Sequence, residues 1–199
     1  MVRLLCAVLI AVPTAAFGLD EAAFTRQLIQ AAQQQVGVTL NYDPAYRAIP
    51  FPGGDVPIDR GVCSDVVVRA YRAVGIDLQL LVNQDMRKAF SAYPRAWGLA
   101  KPDPNIDHRR VLNLAVFFTR HGQSLPISTM AFDYKAGDIV AWRLPDGRPH
   151  IGLVSDKPKD KPKNGVPLIV HNIGRGAQEE DTLFAFTITG HYRYVPASL

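Results

Sequence analysis

Apolar positions recur at helical spacing through the first two-thirds of the chain and alternate at strand spacing after it. In LDEAAFTRQLIQAAQQQVG (19–37), Phe24, Leu28, Ala31, Ala32 and Val36 fall on one helical face, with Asp20 as a cap and Gly37 as a stop. From Ser64 to Val74, the positions Val66, Val67, Ala70, Tyr71 and Val74 form a second apolar stripe, ended by Gly75. Two more helices are expected, at 84–92 before Pro94 and at 107–121. The latter turns Val111, Leu114, Ala115 and Phe118 inward and stops at Gly122. Between the first two helices, VTLNYDPAYRAIPFPGGDVPIDRG is rich in Pro, Gly and Asp and predicts a long irregular loop. Such loops inside compact domains are often functional.

After Pro126 the texture changes. DIVAWRL (138–144), HIGLVSD (150–156), PLIVHNIG (167–174) and FAFTITGHYRYV (184–195) are short, β-branched and aromatic, and turn residues separate them. PDGRP joins the first pair tightly, and the charged KPKDKPKNG joins the second. Helices followed by strands with short links predict an α+β domain, an antiparallel sheet with helices on one side. No repeat or long linker divides the chain.

Composition narrows the classes. Hydrophobic residues make up 48% and charged residues 20% of the 199, the profile of a soluble globular domain. The net charge of +4 is mild, and no basic block alternates with aromatics, so no nucleic-acid surface is expected. The balance suits solubility or weak attraction to an acidic wall polymer. KPKDKPKNG reads as a solvated hairpin tip, with contact to an acidic glycan as the alternative.

The N-terminus MVRLLCAVLIAVPTAAFG carries one Arg, an apolar run from Leu4 to Val12, and small residues at Ala16 and Gly18. This is the pattern of a secretory signal peptide over residues 1–18, leaving a mature domain of 19–199. The run is too short to span a bilayer, so an exported, periplasmic protein without stable membrane insertion is expected. Cys6 would leave with the signal, and Cys63 would remain as a lone thiol in an oxidising compartment. A lone cysteine there is an intermolecular partner or a reactive thiol.

Cys63 falls where the second helix begins. Unsatisfied N–H groups and the positive end of the helix dipole favour the thiolate there, and the same donors can hold an oxyanion. The inert alternative is a buried core cysteine. A base has to come from His108, His121, His150, His171 or His191. An antiparallel register that sets His150 directly opposite His171 places both rings on one face. A one-residue slip offers Asn172 instead. Either can fix the tautomer of His150, the role of a third triad member. His121 is expected at the last turn of its helix and His191 in a structural role; Trp97 and Trp142 read as core or cleft wall.

GVCSDVVVRAYRAVGIDL, AGDIVAWRLPDGRPHIGLVSD and LIVHNIG together resemble the NlpC-type cell-wall cysteine peptidases and amidases, a branch of the papain-like fold. The resemblance implies Cys63 as nucleophile, His150 as base and His171 as orienting residue, with Gly137 and Asp138 leading a strand. It implies an amide hydrolase acting on a peptide, with the peptide stems of peptidoglycan as substrate class. PFPGGDVP, GVCSDVVVRAYR and KPDPNIDHRRVLNL resemble, more narrowly, a bacterial family catalogued as domain of unknown function 1287. The wider family usually has Asp before the nucleophile and Gly two after it, where this chain has Val62 and Asp65. Its bordering Tyr and paired glycines correspond to Tyr46 with Gly53 and Gly54 at stretched spacing.

Ser64, Tyr46, Arg109 and Arg110 are the other candidates for the cleft. The two arginines fall in the expected first turn of a helix, against the dipole preference. Either they hold a substrate carboxylate, or they pair internally with Asp103 or Asp107. No cofactor is implied. Three alternatives stand beside the hydrolase: a non-catalytic wall-binding module on the same scaffold, a thiol acyltransferase using the same residues, and a zinc hydrolase. The last lacks any close-spaced ligand motif.

Overall fold

The computed structural model describes residues 20–158 and 165–196; the expected signal peptide lies outside them, as does 159–164 of the charged loop. Helix α1 spans Glu21–Gln33, and the Asp20 carboxylate accepts from the N–H groups of Ala22 and Ala23 as the expected cap. Phe24, Leu28, Ile29 and Ala32 are buried, whereas Val36 lies past the helix end and is 39% exposed. Helix α2 spans Cys63–Ala73, and Gly75 follows with φ 86°.

Two helices depart from expectation. Helix α3 runs Leu78–Lys88 rather than 84–92, because the Asp77 side chain caps it at Gln79 N–H; residues 90–92 form only a 3₁₀ turn. The segment at 107–121 breaks into a 3₁₀ turn at Asp107–Arg109 and helix α4 at Val111–His121, with Arg110 extended between them. Arg109 and Arg110 therefore precede the α-helix, Arg110 as its N-cap. His121 closes α4 and pairs with Asp85 across to α3.

The strands are β1 (Asn41–Tyr42), β2 (Arg60–Gly61), β3 (Gln123–Ser124), β4 (Ile139–Arg143), β5 (Pro149–Pro158), β6 (Pro167–Asn172), β7 (Ala177–Glu180) and β8 (Thr187–Arg193). Strands β1 and β2 form a small parallel pair inside the irregular loop. The other six make one open antiparallel sheet in the order β3-β8-β4-β5-β6-β7. The protein is thus α+β, with four α-helices among the described residues.

One face of the sheet, with Ile139, Ala141, Ile151, Leu153 and Val170, packs on Leu28, Val66, Val67, Ala70, Tyr71, Leu114 and Phe118 from α1, α2 and α4. The opposite parity, Val140, Trp142, Val154 and Ile169, forms a second cluster with Tyr134 and Leu183. Burying Tyr71 and Trp142 is made tolerable by hydrogen bonds to Tyr194 O and Leu183 O, both 2.9 Å. Asp138, at the start of β4, is fully buried. Burial raises its pKa, but hydrogen bonds from His191, Arg193 and the Lys135 N–H outweigh that and hold the carboxyl low. His191 is structural, as expected.

The register between β5 and β6 is not the one that opposes His150 to His171. Leu153 pairs with Val170 and Val154 with Ile169, a shift of two residues. Parity is preserved, so the histidines remain on one face as diagonal neighbours. The slip that would have brought Asn172 to that face does not occur.

Candidate active site

The site is built first at the start of α2. Its N-cap is Val62, which has no side-chain acceptor, so only the return half of a capping box forms: Asp65 Oδ2 accepts from Val62 N–H at 2.6 Å. Gly61 is needed beside it, since a Cβ there would lie 2.8 Å from Asp65 Oδ2. Because no cap side chain takes the first-turn N–H groups, those of Cys63 and Ser64 reach the Cys63 sulfur.

Beneath this turn lies a sealed ion pair. Arg109 Nε and Nη2 donate to the two oxygens of Asp65 at 2.9 and 3.0 Å, with side chains only 2% and 3% exposed. The same guanidinium reaches the carbonyls of Asp43 and Ala45 in the loop. Arg109 is therefore not a substrate ligand, and its partner is neither Asp103 nor Asp107. Ser64 is also structural, fully buried and donating to Arg109 O at 2.6 Å. A paired but dry charge such as Asp65 leaves the α2 start rigid, because moving it would strand Arg109 without compensation.

Cys63 is a free thiol, 4% exposed, at the point where β5 and β6 separate. Pairing between these strands starts at Leu153, so the Ile151 N–H is released from the ladder and reaches the sulfur. Burial nonetheless dominates and pushes the thiol up to about 11, with the backbone donors offsetting only part of it. The expected thiolate is thus corrected: local dipole and donors favour it, but the dry seat disfavours it more.

The histidines meet here. His150 Nε2 lies 2.8 Å from His171 Nδ1, and His171 Nε2 lies 3.3 Å from Glu180 Oε2 in β7. Gly152 makes this possible, because a Cβ there would come within 3.1 Å of His171 Cβ. The order of groups fixes the protons. An ionised carboxylate only accepts, so His171 carries its proton on Nε2 and offers a lone pair at Nδ1. His150 must then donate from Nε2, which leaves a free lone pair on its Nδ1. Burial, with His171 and Arg148 adding to it, lowers His150 to about 3, and burial likewise lowers His171, so both rings are neutral at pH 7. Arg175 pairs with Glu180 at the outer end of this chain of groups.

Cys63 and His150 line one cavity of about 240 Å³, together with Tyr42, Trp97, Arg110 and Arg148. Among the described residues the thiol makes no direct hydrogen bond to the imidazole, a separation common before substrate binds. Tyr42, not Tyr46, lines the cavity with Cys63, and burial raises its hydroxyl pKa. Tyr46 is 58% exposed and bonded to Asp103 and Asn105 outside the cavity. Asn172 faces away and clamps the β1–β2 loop through Gly61 O and Asn41 O. It is no substitute for His171.

Residues 29–194 match the family described as "Domain of unknown function (DUF1287)". The chain belongs to the DUF1287 family. It is 58% identical over 163 residues to the Escherichia coli (strain K12) protein named "Uncharacterized protein YijF", an alignment covering 82% of this chain and 78% of that one. The DUF1287 span runs from within α1 to just past β8 and so contains Cys63, His150, His171 and Glu180. Sequence reasoning about this DUF1287 domain missed Glu180, Tyr42 and Arg148. The first was findable: Gly174 and Gly176 signal a turn after β6, and a returning strand places Glu180 diagonally from His171.

Proposed function

We propose that this DUF1287 chain is an exported cysteine hydrolase of the NlpC-type, papain-like class that cleaves an amide in peptidoglycan stem peptides. The observation that carries this reading is the ordered relay Glu180–His171–His150, which leaves a lone pair on His150 in the cavity that holds Cys63. A core cysteine needs no oriented base, and a wall-binding module needs no fixed tautomer.

The chemistry proceeds from neutral partners. As the substrate carbonyl enters, Cys63 Sγ attacks its carbon while His150 Nδ1 takes the thiol proton. The oxyanion faces the open N–H groups at the start of α2. His150, now an imidazolium stabilised through His171 by Glu180, gives its proton to the leaving amine, and a thioester remains. Water then attacks the thioester, His150 accepts its proton, and the released thiolate takes it back. Export and substrate class come from the N-terminal pattern and the family likeness.

The test is mass spectrometry of muropeptides after digestion of purified sacculi with wild type and with Cys63→Ala. The expected result is new amide-cleaved fragments with wild type alone. Fragments joined to an added amine would assign acyl transfer instead. No fragments from protein with an intact thiol, or the same fragments from Cys63→Ala, would end the proposal.

A further inference from the structure

The cavity beside Cys63 has a one-sided charge pattern. No Asp or Glu lines it, whereas Arg109, Arg110 and Arg148 do, and of these Arg109 is already paired with Asp65. Arg110 stands just before α4, and Arg148 sits in the turn between β4 and β5, two residues before His150. The lining also includes the apolar Ile106, Leu112 and Leu144, so a charge brought there is screened less than in bulk water.

Arg110 is held ready to bind. Its guanidinium carbon lies 4.2 Å from the Trp97 ring centre, and its Nη1 donates to Asp107 Oδ1 at 2.8 Å. Asp107 is itself committed, accepting from the Asp103 N–H and from Asn113, so it acts as a brace for the guanidinium. The side chain is 16% exposed, and among the described residues it donates to no other acceptor, which leaves the Nε–Nη2 edge of the fork open. Among the described residues Arg148 pairs with Asp146 alone, in an exposed contact with side chains 64% and 49% exposed. Such a pair is weak and yields readily to a better acceptor.

From this we infer that Arg110, stacked on Trp97, is the specificity-determining residue of a carboxylate subsite, and that the substrate carries a free carboxylate beside the amide that Cys63 attacks. The inference rests on the hydrolase reading for the position of that amide, but the subsite itself rests on the cavity. Arg110 supplies a planar fork for bidentate binding, and Arg148, lining the same cavity, supplies further attraction. A cavity of about 240 Å³ admits one such residue with its carboxylate rather than a long polymer segment.

The test separates binding from cleavage. Two synthetic tripeptides are used, one with a free carboxylate next to the amide to be cut and a twin with that group as a carboxamide. Calorimetric titration of Cys63→Ala is expected to show the carboxylate peptide binding about tenfold to a hundredfold more tightly. Arg110→Gln and Arg110→Lys should each erase most of that preference, the lysine because it keeps the charge but loses the fork. Arg148→Gln, at an exposed turn that does not threaten folding, should weaken the carboxylate peptide alone and flatten its salt dependence. Equal affinities for the two peptides, or binding of neither, overturns the subsite whatever becomes of the variants. Wild type incubated with the same pair reports separately on hydrolysis. A carboxylate preference without cleavage would remove the hydrolase reading and leave the subsite standing.

Discussion

Alkylation of Cys63 by iodoacetamide, read by mass spectrometry of the peptide that contains it, distinguishes a resting thiol from a resting thiolate. Burial pushes this thiol up to about 11. At pH 7 such a group is thiolate in roughly one molecule in ten thousand, against about one in thirty for free cysteine at 8.5. The deficit is about 300-fold. A more basic thiolate is also more nucleophilic, which recovers about tenfold. Alkylation of the folded protein should therefore run about 30-fold slower than free cysteine at pH 7, and slower still because the sulfur is nearly enclosed. The rate should climb close to tenfold per pH unit through pH 9 without levelling. Unfolding in guanidinium should restore the free-thiol rate. His150→Ala should leave the pH 7 rate unchanged, because a neutral imidazole supplies no charge to the sulfur. A rate above that of free cysteine, level between pH 5 and 7, would refute the reasoning. It would mean that Cys63 and His150 stand as an ion pair and that no proton moves during attack.

Asp65→Asn leaves the buried Arg109 guanidinium without a counter-charge, so a loss of about 3–5 kcal/mol is expected, seen by calorimetry as a fall in Tm of about 6–20 °C; a loss below about 1 kcal/mol would show that water reaches the pair. Glu180→Gln can donate as well as accept, so it no longer dictates the His171 tautomer. Nitrogen-15 NMR should then detect protonated His150 Nδ1, with amide hydrolysis falling about tenfold or more; an unchanged His150 spectrum would contradict the relay. Stability should drop as pH falls from about 6.5 toward 4. The unfolded chain protonates its histidines near 6.5, whereas His108 and His150 in the folded protein have pKa values lowered to about 4 and about 3 by burial. The unfolded state therefore binds more protons in that window, at up to about 1.4 kcal/mol per pH unit for each group. Urea denaturation at stepped pH checks this, and a midpoint constant from pH 7 to 4.5 would count against it.

Much of the scaffold was legible because its signals are local. Asp20 and Gly75 mark helix ends by backbone chemistry that needs no distant partner. The start of α2 at Cys63 follows from where the apolar stripe begins, and the alternation of β5 and β6 puts His150 and His171 on one face. What failed was each inference that needed a second segment. Arg109 looked misplaced on a helix because its counter-charge, Asp65, stands 44 residues earlier. Tyr46 looked like the cleft tyrosine because β1, which carries Tyr42, is only two residues long and leaves no periodic trace. Glu180 was hidden in AQEE, a strand with no β-branched residue, held in place by pairing with β6.

By itself, then, the sequence determined the α+β class, the Cys63 thiol at a helix start and the shared parity of the two histidines. These depend on side-chain spacing and caps, which act within a few residues. Only the tertiary structure decided that the histidines meet diagonally, since a shift of two residues preserves every face and is invisible to alternation. Only the tertiary structure, too, supplies the burial that pushes the thiol up to about 11. The dipole of α2 is a local field, but desolvation sums over every segment that closes around Cys63, and at this site the sum is larger.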